Sequence, residues 1–130
     1  MIVGLGTDLV GVERIRGVYQ RQGQRFLDKV YTAEEQAYCL AARDPGERLA
    51  ARWAAKEAVM KALGTGWAKG VDFRHISVIA TDGAPRVKLS HRAAEIASAR
   101  MIECWHLSLS HSDGMAIAMV IAERFADYRR

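Results

Sequence analysis

The sequence predicts an α+β domain in which helices come first and antiparallel hairpins come late. A helical pattern runs over residues 47–63 and ends at a pair of glycines. Two pairs of short apolar segments follow, and each pair is joined by a turn that contains Asp-Gly. Hairpins gathered late in the chain favour an α+β fold over alternating strands and helices.

The first quarter of the chain is predicted to hold one strand and two helices. Residues 1–9 are mainly apolar and predict a strand that ends at Thr7-Asp8. Residues 13–22 predict a helix with one apolar face, and residues 25–30 predict a further short helical turn. Asp8 is therefore expected at the end of the first strand.

Two longer helices are predicted next. Thr32 has the position of an N-cap, and Glu35 has the capping-box position of a helix that runs to about residue 42. The Asp-Pro-Gly sequence at residues 44–46 breaks the chain before the helix over residues 47–63.

The second half of the chain is predicted to contain two hairpins separated by a helix. The strands are residues 75–80 with 86–89, and residues 106–110 with 115–122. Ser90 is placed to cap a helix that runs to about residue 100. The tail, residues 124–130, is polar and is expected to fray. Because no linker or repeat interrupts the pattern, residues 1–130 are predicted to form one domain.

The composition indicates a globular protein of a reducing compartment. Half of the 130 residues are hydrophobic, yet no apolar run reaches the length of a membrane span. The apolar segment after Met1 lacks a basic region and a cleavage site, so no signal peptide is expected. Cys39 and Cys104 lie outside any C-x-x-C or Cys/His cluster. This spacing predicts a cytoplasmic protein without a zinc site.

The net charge of +4 is explained by solubility alone or by a polyanionic partner. Four arginines fall in one short segment, at Arg14, Arg16, Arg21 and Arg25. A surface that binds nucleic acid would add stacking aromatic residues between them. The segment offers little beyond Tyr19 and Phe26, so an acidic protein or a phosphorylated ligand is favoured over nucleic acid.

The helix over residues 47–63 carries an unusually placed carboxylate. At about 100° per residue, four apolar side chains form one stripe: Leu49, Trp53, Met60 and Leu63. Glu57 lies about 80° and Lys61 about 120° from Leu49, beside the small residues Ala50 and Ala54. An ordinary Glu–Lys pair on an exposed helix explains this pattern. A ligand site above a floor of alanines explains it equally well.

Asp8 is a second candidate for such a site. A carboxylate at a strand end is commonly a turn or cap residue. Mg²⁺, however, prefers oxygen ligands and is typically held by one or two carboxylates together with substrate phosphates. Asp8 and Glu57, with Lys61 nearby, therefore suit a phosphate-ester substrate.

Other catalytic patterns fail on spacing. The Gly4-Leu5-Gly6 segment lacks the third glycine of a dinucleotide fingerprint. Ser110 and His111 are adjacent in one strand and face opposite sides, which excludes a serine triad there. His111 remains a candidate because it lies next to a tight turn.

Five segments together resemble a known family. They are G-L-G-T-D at 4–8, V-E-R-I at 12–15, W-A-A-K-E-A at 53–58, K-A-L-G-T-G at 61–66 and S-L-S-H at 108–111. Their order and spacing resemble the small bacterial holo-[acyl-carrier-protein] synthases, which are single-domain 4′-phosphopantetheinyl transferases. The resemblance implies the fold of that family, with a small antiparallel sheet packed on a long central helix.

The resemblance also implies an activity and its residues. The enzyme would transfer 4′-phosphopantetheine from coenzyme A to a serine of apo-acyl carrier protein and release adenosine 3′,5′-bisphosphate. Asp8 and Glu57 match the Mg²⁺ ligands, and Lys61 matches a lysine near the pyrophosphate. The proton of the serine would go to Glu57 or to a metal-bound water, and the sequence leaves both open.

The same resemblance implies a coenzyme site, a docking surface and an assembly. The coenzyme A residues would be Arg52, Lys61, Gly64, Thr65, Gly66, Pro85, Arg86 and His111. The carrier protein would dock on Arg14, Arg21 and Arg25, with Phe26 as an apolar anchor. A homotrimer with interfacial active sites is expected, with neither nucleic acid nor membrane as a partner.

A non-catalytic module that binds coenzyme A or a carrier protein is the main alternative. Such a module would keep Arg14 and Arg21 but would be free to lose Asp8 or Glu57. Both carboxylates are present, which favours the transferase.

Overall fold

A computed structural model of the chain describes residues 1–66 and 69–125. In chain order the elements are β1 (Ile2–Gly11), α1 (Val12–Gln22), α2 (Gln24–Val30), α3 (Ala33–Leu40), α4 (Gly46–Leu63), a 3₁₀ turn (Phe73–His75), β2 (Ile76–Ile79), β3 (Arg86–Leu89), α5 (His91–Ala99), β4 (Cys104–Ser112) and β5 (Met115–Glu123). Helices α1 to α4 precede both hairpins, and α5 lies between them, which confirms the predicted α+β class.

The strands form two small antiparallel sheets. The larger sheet has the order β1-β5-β4, and the smaller one is the β2-β3 hairpin. The β4-β5 hairpin turns at Asp113 and Gly114, whose φ angles of 52° and 74° are both left-handed. Two successive left-handed residues give a tight turn that matches the twist of a hairpin.

The first strand is longer than predicted. It continues to Gly11 because Val10 and Gly11 pair with Ala116 and Met115, close to the β4-β5 turn. Asp8 pairs with Ala118 and lies inside the strand. The expectation of Asp8 at the strand end is therefore wrong, since pairing to β5 extends the strand past this residue.

Helix α4 lies against one face of the larger sheet. A Cβ added to Gly6 would lie 1.9 Å from the carbonyl oxygen of Ala58, and one added to Gly4 would lie 2.3 Å from that of Ala62. Glycine is thus required at both positions, because any side chain would collide with the helix backbone. This close approach fixes β1 against the carboxyl-terminal half of α4.

The alanines of α4 are packed against protein. Ala50 and Ala54 are both 0% exposed, so the open floor expected beside Glu57 is absent at these two positions. Of the predicted apolar stripe, Leu49, Met60 and Leu63 are buried. Small residues on α4 therefore serve close helix–sheet packing.

An ion pair is buried where α4 meets α3 and the smaller sheet. Lys56 Nζ lies 2.6 Å from Glu35 Oε1, and both side chains are 0% exposed. Lys56 also donates hydrogen bonds to the carbonyl oxygens of Phe73 and Ile76, and Glu35 Oε2 accepts one from the Val78 amide. Every part of the pair is hydrogen-bonded, as a buried charge requires. Burial lowers the pKa of Lys56, while Glu35 opposes that shift.

The capping box predicted for α3 is confirmed. The Glu35 amide donates to Thr32 Oγ1 over 3.3 Å, and the Thr32 amide donates to Glu35 Oε1 over 2.9 Å. Glu35 thus caps its helix and pairs with Lys56 at the same time.

The carboxyl-terminal segment is anchored further than predicted. The Arg124 amide donates to the Met1 carbonyl oxygen over 2.8 Å. The Arg124 guanidinium donates to the Arg100 carbonyl oxygen over 2.7 Å. The Phe125 amide donates to Glu103. The predicted tail therefore does not begin at residue 124, and residues 126–130 lie outside the described part.

The other face of the larger sheet is apolar and open to solvent. Its exposed side chains are Leu5 (59%), Leu9 (60%), Ile117 (43%) and Met119 (48%). They occupy adjacent positions of β1 and β5, since Leu9 pairs with Ile117 and Leu5 with Ile121. A patch of this kind is typical of a protein–protein contact. Among the described helices, none has the length and hydropathy needed to cross a bilayer.

Candidate active site

Asp8 and Lys61 meet between β1 and the last turn of α4. Lys61 Nζ donates to the Thr7 carbonyl oxygen over 2.8 Å and lies 3.4 Å from Asp8 Oδ1. Every second residue of a strand faces the same side, so Gly4, Gly6 and Asp8 share one face of β1. The two glycines let that face approach the helix closely. Close packing of strand and helix therefore places the carboxylate beside the ammonium group.

Glu57 lies one turn before Lys61 on α4. Residues four apart share a face of a helix, so Glu57 joins Lys61 on the side of α4 near Asp8. Its side chain is half-buried, and the Asp8 side chain is 18% exposed. Two partly solvated carboxylates beside a lysine suit a hard divalent cation together with a phosphate ester. The cation prefers carboxylate oxygens, and the phosphate oxygens accept charge-assisted hydrogen bonds from an ammonium group.

The loop after α4 begins with a left-handed glycine. Gly64 has φ 76° and Gly66 has φ 53°, and a Cβ at Gly66 would meet open space. Thr65, in contrast, is buried, and its hydroxyl oxygen lies 3.1 Å from the Gly66 carbonyl oxygen and 3.4 Å from that of Met60. The structure thus gives Thr65 a place inside the loop and leaves Gly66 at its surface. Residues 67 and 68 lie outside the described part.

Arg52 is turned toward α3. It is 6% exposed, and its guanidinium carbon lies 4.4 Å from the centre of the Tyr38 ring. Arg48 stacks on the same ring at 4.1 Å. No described hydrogen bond or ion pair joins Arg52 to Asp8 or Lys61, so the structure does not bring it to that group.

His111 lies at the opposite end of α4 from Lys61. Its Nδ1 atom is 3.6 Å from Glu47 Oε2 in the first turn of the helix. Glu47 and Lys61 are fourteen residues apart, which is about 21 Å along a helix axis. Within one chain, His111 is therefore far from the group formed by Asp8, Glu57 and Lys61.

Arg86 belongs to the smaller sheet, and Pro85 directly precedes it. Arg86 begins β3 and borders a shallow cavity of about 310 Å³ with Glu34, Ile79 and Lys88. No described hydrogen bond or ion pair links this hairpin to Lys61. The predicted coenzyme residues are thus distributed over several regions of one chain.

The arginine segment forms an exposed basic surface on α1 and α2. Arg14, Arg21 and Arg25 are all exposed. Phe26 is only 5% exposed and packs edge-on against Tyr31, with ring centres 5.6 Å apart. Phe26 is therefore largely buried, and its role as an apolar anchor for a carrier protein stays a prediction.

A groove of about 450 Å³ lies beside these arginines. Its lining is largely apolar and consists of Val18, Gln22, Phe26, Lys29, Val30, Trp53, Val71, Asp72 and Phe73. Trp53 is one turn before Glu57 on α4, so the groove adjoins the candidate site. The sequence does not predict this groove, because its walls come from three separate segments of the chain.

Together the described elements and the site define an α+β fold with a carboxylate–lysine group suited to phosphate esters. The family model of the 4′-phosphopantetheinyl transferase superfamily matches residues 4–120. A holo-[acyl-carrier-protein] synthase of Gloeobacter violaceus is 48% identical over 118 residues, which cover 89% of each chain. One from Vibrio cholerae is 47% identical over 126 residues, which cover 95% of this chain and 99% of the other.

Solved structures agree with these relatives. The holo-[acyl-carrier-protein] synthase of Neisseria meningitidis has a TM-score of 0.86 at 35% identity and covers 95% of this chain and 100% of its own. That of Helicobacter pylori, solved in complex with coenzyme A, has a TM-score of 0.80 at 31% identity, covering 92% and 99%. The chain therefore belongs to the 4′-phosphopantetheinyl transferase superfamily, which confirms the resemblance seen in the motifs.

Proposed function

We propose that this chain transfers the 4′-phosphopantetheine group of coenzyme A to a serine hydroxyl of an apo-acyl carrier protein. Relatives 47–48% identical over most of the chain are holo-[acyl-carrier-protein] synthases, and a similar structure contains coenzyme A. The observation that carries the proposal is the contact between Asp8 and Lys61, with Glu57 one turn away. These are the side chains needed to hold and polarise a pyrophosphate.

Asp8 and Glu57 would hold Mg²⁺, because their carboxylate oxygens are the donors that this ion prefers. When bound, Mg²⁺ supplies positive charge that offsets the pyrophosphate oxygens. Lys61 is placed to donate to a phosphoryl oxygen, since its side chain is 53% exposed. Its bonds to the Thr7 carbonyl oxygen and to Asp8 orient the ammonium and leave its third proton for the phosphate.

The proposed reaction is a phosphoryl transfer, in which a serine hydroxyl replaces the adenosine bisphosphate as the group bonded to phosphorus. The serine oxygen bonds to the phosphorus that carries pantetheine, the bridging P–O bond breaks, and adenosine 3′,5′-bisphosphate leaves with the electron pair. Glu57, half-buried and beside Lys61, is the carboxylate that we assign to accept the serine proton. Lys61 stabilises the charge that grows on the phosphate oxygens.

The carrier protein is proposed to dock on Arg14, Arg21 and Arg25. An acidic partner would be attracted by this exposed basic surface, and salt would weaken the attraction. The neighbouring groove contains Trp53 at its end nearest Glu57. We propose that it guides the carrier's serine and the pantetheine arm toward the site.

We propose that the chain assembles as a homotrimer whose active sites lie between subunits. Two observations support this arrangement. The sheet face formed by Leu5, Leu9, Ile117 and Met119 is apolar and exposed, and a subunit contact would cover it. His111 is also far from Lys61 within one chain, so Pro85, Arg86 and His111 of a neighbouring subunit would complete the coenzyme site beside Gly64 and Gly66.

The proposed setting is the reducing cytoplasm, because both cysteines are free thiols. The function is tested by incubating the protein with coenzyme A, Mg²⁺ and apo-acyl carrier protein and measuring the carrier mass. A transferase adds one phosphopantetheine to the carrier. A module that only binds would retain coenzyme A in a calorimetric titration and leave the carrier mass unchanged.

A further inference from the structure

Three side chains with metal-binding atoms converge on the outer face of the larger sheet. Cys104 and His106 are two residues apart on β4, so they share a face, and Cys104 lies directly opposite Glu123 on β5. Cys104 Sγ is 3.6 Å from His106 Nε2, and His106 Nε2 is 2.9 Å from Glu123 Oε1. All three ligand atoms lie within 4.8 Å of one another.

We propose that Cys104, His106 and Glu123 bind a divalent transition-metal ion of the Zn²⁺ type. A thiolate, an imidazole and a carboxylate are the three donor types that Zn²⁺ uses in proteins. Mg²⁺ is not expected to bind these three ligands, because it prefers oxygen ligands alone. Three protein ligands leave the fourth tetrahedral position to water.

The distances agree with tetrahedral coordination. Bonds of about 2.3 Å to sulfur and about 2.05 Å to nitrogen, at a tetrahedral angle, separate the two atoms by about 3.6 Å. The observed Sγ–Nε2 distance is 3.6 Å. The Nε2–Oε1 distance would have to open from 2.9 Å to about 3.3 Å. A small rotation of the exposed Glu123 side chain supplies that change.

The local charge also suits a cation. The Glu123 carboxylate offers an anionic oxygen ligand, and its Oε1 atom already contacts the His106 ring. Loss of the Cys104 proton on metal binding gives a second negative ligand. In a single chain the His106 side chain is 56% exposed and the Glu123 side chain 36% exposed.

This site is separate from the proposed Mg²⁺ site. Glu123 pairs with Ile2 on β1, whereas Asp8 pairs with Ala118. Six residues along a strand correspond to about 20 Å. The cluster also lies on the face of the sheet that points away from α4, so the two sites share no ligand. The inference does not depend on the proposed enzymatic function.

The expectation of no zinc site came from the spacing of the cysteines. Cys104 and His106 form a C-x-H pair, which alone is a weak signal. Glu123 lies nineteen residues after Cys104. Only the pairing of β4 with β5 brings the carboxylate opposite the thiol. The proposal therefore departs from that expectation.

Co²⁺ substitution tests the proposal on the full-length protein freed of metal by chelation. One equivalent of Co²⁺ should produce a near-ultraviolet thiolate-to-cobalt band and visible bands of tetrahedral intensity. Zn²⁺ should then displace Co²⁺ at one equivalent per chain and raise the melting temperature. Cys104→Ser should abolish the thiolate band, and Glu123→Gln should weaken Zn²⁺ binding at least about tenfold.

Two variants serve as matched controls. Cys39→Ala removes the other thiol, and Asp8→Asn removes a proposed Mg²⁺ ligand, so both should retain the thiolate band and the Zn²⁺ affinity. Circular dichroism of Cys104→Ser should match that of the parent, because the position lies at the sheet surface. A missing thiolate band in the parent protein, or an unchanged band in Cys104→Ser, would overturn the proposal.

Discussion

Lys56 and Glu35 form an ion pair of 2.6 Å with both side chains fully buried. The pair joins α4 to α3, and its hydrogen bonds reach the smaller sheet at Ile76 and Val78. Lys56 is adjacent in sequence to Glu57. Consecutive helix residues point about 100° apart, so the first faces the core while the second faces the candidate site. The ion pair thus fixes the rotation of α4 that presents Glu57.

Lys56→Met should lower the free energy of unfolding by about 3–5 kcal/mol, because it leaves the Glu35 carboxylate buried without its counter-charge. The double variant Lys56→Met/Glu35→Gln should recover at least about 1 kcal/mol, since Gln is neutral and still accepts the capping hydrogen bond. Urea unfolding curves measure both. A single variant within about 1 kcal/mol of the parent would show that the pair is not a main constraint on α4.

Gly6→Ala should destabilise the fold by at least about 2–3 kcal/mol and reduce transfer. The added Cβ would lie 1.9 Å from the Ala58 carbonyl oxygen, which forces β1, and Asp8 with it, away from α4. Gly83→Ala is the matched control, because a Cβ there meets nothing within 4 Å. Thermal unfolding and transfer rates should be nearly unchanged in the control. Equal effects of the two substitutions would contradict the close packing of β1 on α4.

Raising the pH from about 9 to about 11 should lower the free energy of unfolding. Burial raises the pKa of the Cys39 thiol to about 11 and raises that of Tyr31. Between pH 9 and 11 the unfolded chain releases the Cys39 proton that the folded chain keeps, which favours unfolding. Cys39→Ala should make this pH dependence shallower. Parallel stability curves for parent and variant would show that Cys39 does not contribute to it.

Arg14→Glu should raise the KM for the carrier protein about tenfold and leave the KM for coenzyme A nearly unchanged. Arg14 is exposed in the first turn of α1, where a negative charge is favourable to the helix, so the fold should persist. Arg43→Glu makes the same charge change at an exposed arginine outside α1 and α2. A larger effect from Arg43→Glu would place the docking surface elsewhere.

Mixing two inactive variants should restore part of the activity if the sites lie between subunits. Lys61→Ala and His111→Ala damage residues at opposite ends of α4, so a neighbouring pair of subunits in a mixed trimer can combine the intact halves. Lys61→Ala mixed with Glu57→Gln is the control and should stay inactive, because both residues belong to the same end. Activity is measured after subunit exchange, and no recovery in the first mixture would contradict an interfacial site.

Local sequence patterns predicted the fold more fully than the site. The Thr32–Glu35 capping box and the Asp113-Gly114 turn were predictable because their interactions span only a few residues. The role of Glu35 in pairing with Lys56 was not, since the partner is twenty-one residues away. Gly11 resembles a strand breaker, yet pairing with Met115 keeps it in β1.

The candidate site was predictable only in part, because many of its contacts join residues far apart in the sequence. Asp8, Glu57 and Lys61 were identified from residue type and family resemblance, and the Asp8–Lys61 contact places two of them together. The burial of Phe26, Arg52 and Thr65 depends on neighbours from other elements. Their exposure could therefore not be deduced from the positions of these residues in the sequence.

The carrier mass measured with the parent protein and with two conservative variants tests the central claim most directly. With coenzyme A and Mg²⁺, the parent should raise the mass of apo-acyl carrier protein by one phosphopantetheine. Asp8→Asn and Glu57→Gln should stay folded and leave the mass unchanged. No mass increase with the parent across several carriers, or normal transfer by either variant, would contradict the account.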